Sequence, residues 1–85
     1  MQINLRFFAS VREAVGTAGE SLALPEGVAT VGAVRDLLIA RGGAWAEALA
    51  PDRALRMAFK HVMCEPDMLL AEGGEVAFFP PVTGG

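Results

Sequence analysis

Residues 2–9 read QINLRFFA, and the alternation of polar and apolar side chains in this stretch predicts a half-buried β-strand. Ile3, Leu5 and Phe7 share the face that should meet the core, and the residues between them share the other face. Phe8 breaks the pattern because it adds an aromatic ring to the face expected to be polar. The segments that follow this strand indicate how its two faces are covered.

A hairpin and then a helix are predicted next. Ser10 to Gly19 is typical of a turn because of its glycines, and Glu20 to Leu24 alternates like a second strand. Thr30 is well placed as the N-cap of a helix that Gly42-Gly43 ends. The apolar residues of this helix recur at i, i+3 and i+4 and are Val31, Val34, Leu37 and Leu38. A further helical turn is predicted within Ala44 to Ala50.

The second half of the chain predicts three more strands. Leu55, Met57 and Phe59 alternate as a third strand, and Val62 to Glu65 forms a short fourth strand beside it. Residues 72–74 form a turn from which a last strand, residues 75–79, begins. Pro80-Pro81 ends the pairing because proline has no N–H group for a ladder.

This order of elements predicts one α+β domain over residues 1–85, in which a mixed sheet of four to five strands packs one main helix across one face. A chain of 85 residues is too short to divide into two domains or to enclose a deep catalytic cleft. The predicted core consists of Ile3, Leu5, Phe7, Leu22, Val34, Leu37, Leu38, Val76 and Phe78.

Composition excludes several classes of protein. A single cysteine, Cys64, and a single histidine, His61, leave no disulfide framework and make a metal site improbable. The net charge of −3 disfavours nucleic acid as a partner, and the absence of a long apolar run or a signal peptide predicts a cytoplasmic protein that does not enter a membrane. The arginines at 6, 35, 41, 53 and 56 are interpreted as surface charges.

Apolar residues make up 53% of the chain, and the mean hydropathy is +0.41. So small a core cannot bury that much, which indicates an apolar surface that meets a partner. Phe8 and Phe79 both fall on the outer phase of their strands, and we expect the two rings to lie side by side there as interface anchors.

The printed sequence ends in Phe78-Phe79-Pro80-Pro81-Val82-Thr83-Gly84-Gly85, and residues 80–85 predict an extended tail. Two terminal glycines have little bulk, so such a tail fits a narrow channel in another protein. A terminal carboxylate is ionised at neutral pH and can attack the α-phosphate of ATP.

This C-terminal segment, together with residues 5–13 (LRFFASVRE), closely resembles the small subunit of molybdopterin synthase, a family of ubiquitin-like β-grasp sulfur carriers. The resemblance covers the whole chain. It implies that an E1-like adenylyltransferase uses ATP to activate Gly85, that a sulfurtransferase donor supplies sulfur, and that a thiocarboxylate forms there, with Gly84 providing clearance. It further implies that the tail enters the large subunit and donates sulfur to cyclic pyranopterin monophosphate in molybdenum cofactor biosynthesis, within a heterotetramer of two small and two large subunits.

On this reading the chain binds no cofactor and is a sulfur-donor subunit without an active site of its own. The partner interface is expected to comprise Phe8, Phe79, Pro80, Pro81, Val82 and Thr83, with Arg12 at its rim. The alternatives are another Gly-Gly sulfur carrier of the thiamine-thiazole type, a ubiquitin-like protein modifier and a plain interaction module. Asparagine is common in the family at the position of Lys60, and an acidic residue at that of Gly74, so contacts made there are in question.

Cys64 and His61 are the other candidates for chemistry. Cys64 has no neighbouring cation in the sequence that would favour its thiolate, so we interpret it as a buried apolar residue. We expect His61 to lie in a turn as a solvated residue.

Overall fold

The N-terminal strand lies near the middle of the sheet and pairs with both of its neighbours. The computed structural model describes residues 1–81, and in that range β1 (Gln2–Phe7) pairs antiparallel with β2 (Gly19–Ala23) and parallel with β5 (Glu75–Phe79). β3 (Arg56–Phe59) joins the other side of β5, and β4 (Val62–Cys64) joins β3, both antiparallel. The strand order is β2-β1-β5-β3-β4, which confirms the predicted mixed sheet.

The prediction of a turn after β1 is wrong, because residues 9–15 form helix α1 (Ala9–Val15). Val11 is buried and Val15 packs on the core, so two valines one helical turn apart stabilise the helix by tertiary contact. The glycine that suggested a turn, Gly16, lies only at the C-cap, where its φ of 78° lets its N–H donate to the carbonyl of Arg12. Phe8 at the N-cap has no capping side chain, so the start of α1 has no signal in the sequence.

Helix α2 (Val31–Ile39) begins where it was predicted to begin. The Thr30 hydroxyl accepts the N–H of Ala33 at 3.1 Å, and the N–H groups of Val31 and Gly32 donate to the carbonyls of Met68 and Pro66. The helix ends at Ile39, before Gly42-Gly43; those glycines instead begin α3 (Gly43–Ala48), with Gly42 as its N-cap.

The core lies between the sheet and the helices and matches the prediction for seven of its nine members. Ile3, Leu5, Phe7, Val34, Leu38, Val76 and Phe78 are buried, whereas Leu22 and Leu37 are only partly buried. Trp45 of α3 packs edge-on against Phe7, with ring centroids 5.3 Å apart, and so closes one end of this core. In residues 1–81, no helix has the length and apolar character needed to cross a bilayer.

Two arginines interpreted as surface charges hold elements together instead. Arg35 of α2 donates to the backbone carbonyls of Leu49, Ala50 and Arg53, which satisfies acceptors at and beyond the end of α3. Arg41 donates to both carboxylate oxygens of Glu20, at 2.7 and 2.9 Å, and its guanidinium lies 4.5 Å from the Trp45 ring centroid.

The pH dependence of stability should report the contact between Glu20 and Arg41. Hydrogen bonding from Arg41 holds the pKa of Glu20 below its ordinary value, although burial opposes this. The pair therefore stabilises the folded state above the unfolded-state pKa of about 4.3. This contribution disappears as pH falls through the lower pKa of the folded state.

We expect Glu20→Gln to lower the free energy of unfolding at pH 7 by about 0.5–1 kcal/mol, because the pair is partly exposed to solvent. Denaturant titrations should show this difference shrinking below about pH 4. Glu26→Gln is the control, since Glu26 is exposed and forms no ion pair among residues 1–81. A difference for Glu20→Gln that is unchanged at acid pH would contradict the assignment.

The backbone geometry of the turn between β3 and β4 favours asparagine at the position that Lys60 occupies. Lys60 and His61 form a two-residue loop with φ values of 52° and 67°, the type I′ geometry in which asparagine and glycine are preferred. Lys60→Asn should therefore raise the free energy of unfolding by about 0.5 kcal/mol, because asparagine tolerates positive φ better than lysine.

Lys60→Gln is the matched control for this turn, since it removes the charge without favouring positive φ. Chemical denaturation of the three proteins under one condition checks the order. Equal stability of the asparagine and glutamine variants would show that backbone conformation does not limit the turn.

Candidate functional site

The base of the C-terminal segment is held at the middle of the sheet. β5 is the third of five strands and is paired on both sides, with β1 and β3. The end of β5 is fixed further by the N–H of Phe8, which donates to the carbonyl of Phe78 at 3.2 Å. Pro80 and Pro81 follow directly and leave the ladder. Val82, Thr83, Gly84 and Gly85 lie outside the described residues.

Phe8 and Phe79 form an aromatic pair on the sheet face opposite the helices. Their ring centroids are 6.2 Å apart and the ring planes are nearly perpendicular, at 89°, which confirms that they lie side by side. The Phe8 side chain is 41% exposed, and Phe79 is half-buried. The guanidinium of Arg6 lies 5.5 Å from the Phe8 ring centroid and covers part of it.

This pair is one wall of a shallow apolar groove, called here the sheet groove. Its floor consists of Ala58 and Ala77, which are directly opposite each other on β3 and β5. Both alanines lie on the outer phase of their strands, yet they are only 8% and 5% exposed because longer side chains surround them. His61 and Glu75 line the other end of the groove, and Ala9, Pro80 and Pro81 complete it.

Charged and polar groups at one end of the sheet groove already face one another. The Glu75 carboxylate lies 3.4 Å from Nδ1 of His61 and 3.9 Å from the guanidinium of Arg6. His61 is in the turn, as predicted, and its side chain is 81% exposed. The rest of the groove consists mostly of methyl groups and aromatic rings, so it is suited to bury an apolar partner surface.

A second groove lies on the other side of the proline segment, between α1 and α3, and is called here the helix groove. Ser10 and Ala14 line it from α1, Ala44 and Ala48 from α3, and Pro80 and Pro81 border both grooves. Val11, Glu47 and residues 53–55 complete its lining. Pro80 and Pro81 therefore lie between two depressions, an apolar one on the sheet and one that also contains the charged residues Glu47 and Arg53.

Arg12 and Gly74 were the remaining positions in question. Arg12 is exposed in the last turn of α1 and lines neither groove, so the structure does not bring it to the aromatic pair. Gly74 is buried, and a Cβ atom at this position would press into the Phe59 ring. An acidic side chain there would require the Phe59 ring to move.

Cys64 is poorly suited to act as a nucleophile. Burial raises the pKa of its thiol, and the carboxylates of Glu65 and Asp67 raise it further. Within residues 1–81, no three histidine, cysteine, aspartate or glutamate side chains group so as to hold a metal ion. The features that distinguish this surface are thus its shape, its apolar lining and the tail that begins there.

Known proteins resemble this chain over almost all of its length. The model of the ThiS family matches residues 5–85. The molybdopterin synthase sulfur carrier subunit of Escherichia coli (strain K12) is 45% identical over 83 residues, and that of Haemophilus influenzae is 39% identical; each match covers 98% of this chain and 99% of the relative.

Solved structures share the fold. SAMP1 from Haloferax volcanii superimposes with a TM-score of 0.81 at 26% identity, and the match covers all of both chains. A chain in the complex of subunits 1 and 2 of the molybdopterin-converting factor from Helicobacter pylori superimposes with a TM-score of 0.69 over all of both chains; at 17% identity it supports the fold alone. The β-grasp sheet, its helices and these matches together show that the chain belongs to the ThiS family.

Proposed function

We propose that this chain is a sulfur carrier in molybdenum cofactor biosynthesis and the small subunit of a molybdopterin synthase. The observation that carries the proposal is the similarity, at 39–45% identity over nearly the whole chain, to two molybdopterin synthase sulfur carrier subunits. The pairing of β5 on both sides supports it, because a carrier must present its terminus from a fixed base.

The chemistry that we propose takes place at the carboxylate of Gly85. One carboxylate oxygen attacks the α-phosphorus of ATP, pyrophosphate leaves, and an acyl-adenylate forms. Sulfide from a sulfurtransferase donor then displaces AMP and leaves a thiocarboxylate. The thiocarboxylate sulfur attacks a carbon of cyclic pyranopterin monophosphate in the large subunit and displaces an oxygen substituent from that carbon. Water then hydrolyses the resulting thioester, which leaves the sulfur on the pterin and restores the carboxylate of Gly85. Two such transfers supply the two sulfurs of the dithiolene.

This scheme requires no catalytic side chain on the small subunit. The activating enzyme supplies the ATP site, and the large subunit supplies the site of sulfur transfer. The carrier contributes a terminus of low bulk and a surface that aligns it, for which Gly84 gives clearance and Phe8 and Phe79 provide contact area. The raised pKa of Cys64 fits a carrier that holds sulfur at its terminus rather than on a thiol.

A large catalytic subunit and an E1-like adenylyltransferase are the partners that we propose. The curated relatives are named as subunits, and the Helicobacter pylori protein was solved as a complex of subunits 1 and 2. A heterotetramer of two small and two large subunits is the assembly that we expect. We propose that Arg12, which is exposed on α1 and follows Phe8 by four residues, contacts the rim of a partner away from the aromatic pair.

One observation favours a second function, that of a ubiquitin-like protein modifier. The archaeal SAMP1 chain superimposes closely, and SAMP1 stands for small archaeal modifier protein 1. A modifier would join its terminal glycine to a lysine of a target through an isopeptide bond, whereas a carrier would return to the free carboxylate.

The intact mass of the protein distinguishes these functions. Incubation with the activating enzyme of its host, ATP and a sulfur donor should raise the mass by the exchange of one oxygen for one sulfur. Addition of the large subunit and the pterin precursor should then restore the original mass and yield molybdopterin. Deletion of Gly85 should abolish both changes while leaving the thermal unfolding curve unaltered.

An unchanged mass would refute the carrier function. Adducts of target proteins through isopeptide bonds would favour the modifier instead. Product formation by the variant without Gly85 would refute the proposed role of the tail.

The aromatic pair provides a test of the interface. Phe79→Ala should lower the free energy of unfolding by at most about 1 kcal/mol, because Phe79 lies on the outer face of β5 and is half-buried. It should nevertheless weaken binding to the large subunit by about tenfold or more, as expected for an aromatic anchor. Isothermal titration calorimetry and thermal melts measure the two effects.

Phe78→Ala is the matched control on the opposite face of the same strand. Phe78 is fully buried, so its loss should lower the free energy of unfolding by about 3–5 kcal/mol. If Phe79→Ala unfolded the protein to a similar degree and bound normally, Phe79 would be a structural residue rather than an interface residue.

A further inference from the structure

Two small side chains of the outer sheet face lie side by side on the neighbouring strands β3 and β5. Ala58 of β3 and Ala77 of β5 are cross-strand partners, so their methyl groups lie together. Larger residues flank them on the adjoining strands, because Arg6 of β1 is opposite Ala77 and Met63 of β4 is opposite Ala58. The four residues thus form one row across the sheet, long at both ends and short in the middle.

The ends of this depression along β5 are closed as well. Glu75 precedes Ala77 by two residues and Phe79 follows it by two, so both side chains project from the same face. Phe8 extends the aromatic wall, and His61 extends the polar end. The two alanines therefore form the floor of a shallow depression, called here the socket, which has longer side chains along its borders.

The lining of the socket indicates what would occupy it. Its floor and one wall are methyl groups and aromatic rings, which favour an apolar side chain. The polar groups at the other end face each other, with Glu75 and His61 3.4 Å apart, so an occupant does not need to satisfy them. A bulky apolar side chain that is surrounded on all sides is the usual form of an interface hot spot.

The position of the socket indicates which molecule supplies that side chain. Pro80 and Pro81 border the sheet groove and begin the tail, so a protein that takes the tail into its active site must lie over the groove. In the proposed function the protein that receives the sulfurated tail is the large subunit, and the curated relatives are named as subunits of that synthase.

We propose that Ala58 and Ala77 form a socket that receives one bulky apolar side chain of the large subunit when the tail enters that subunit. This inference rests on the proposed function and deepens it. It makes the absence of bulk at these two positions a determinant of partner binding, in addition to the exposed aromatic rings. A larger residue at either position fills the socket with the carrier's own atoms and holds the partner away.

Ala77→Leu and Ala58→Leu test the socket from two different strands. Each should weaken binding to the large subunit of the same organism by about tenfold or more in isothermal titration calorimetry. Thermal melts establish that each variant is folded, and the second variant keeps the test available if the first does not fold. Ala54→Leu is the matched control, since Ala54 is exposed and lines the helix groove instead. Its affinity should stay within about twofold of the unchanged protein.

Normal affinity of the two folded leucine variants would overturn the inference. So would a loss of affinity confined to Ala54→Leu, because the partner would then occupy the helix groove. Weakened binding to the activating enzyme with normal binding to the large subunit would also overturn it, because the occupant would be a different protein.

The mass measurement separates this inference from the proposed function. If the unchanged protein gains sulfur at Gly85 and the folded leucine variants bind the large subunit normally, only the socket is refuted. If the unchanged protein gains no sulfur, the carrier function fails whatever the leucine variants do.

Discussion

The pairing of the first strand with the last is the contact on which the rest of the molecule depends. β1 and β5 are separated by most of the chain, yet they lie side by side in parallel at the centre of the sheet. Their register is fixed at its start by residues 72–74: the N–H of Gly73 donates to the carbonyl of Gln2, and the N–H of Asn4 donates to the carbonyl of Gly74. The Glu72 carboxylate also accepts the N–H of Gln2. A shift of one residue between the two strands would turn either Phe7 or Phe78 out of the core.

Much of this fold could be predicted from the period of two in its strands and the period of 3.6 in α2. Those patterns record which face of each element is buried, so they identified Ile3, Leu5, Phe7, Val34 and Leu38 as core. Helix α1 could not be predicted in this way, because it is short and its N-cap residue, Phe8, has no capping side chain. Its stability comes from packing against α3 and the core, and packing is not visible in local sequence.

The candidate site was likewise predictable from the sequence only in part. The aromatic pair was predictable because both rings fall on the wrong phase of their strands and those strands were expected to be neighbours. The floor of the groove was not, because an alanine on an outer strand face suggests no particular environment, and its burial depends on the side chains around it. The role of Arg35 was hidden for a similar reason, since its acceptors are backbone carbonyls that the sequence does not single out.

A central strand that continues into a tail has a mechanical consequence. Tension applied to the tail is transmitted along β5, whose hydrogen bonds to β1 and β3 run across the direction of pull. Both ladders would then have to break together in shear, whereas an edge strand such as β4 could peel away one bond at a time. In the proposed function, this pairing on both sides keeps the base of the C-terminal segment in the fold when that segment enters the large subunit.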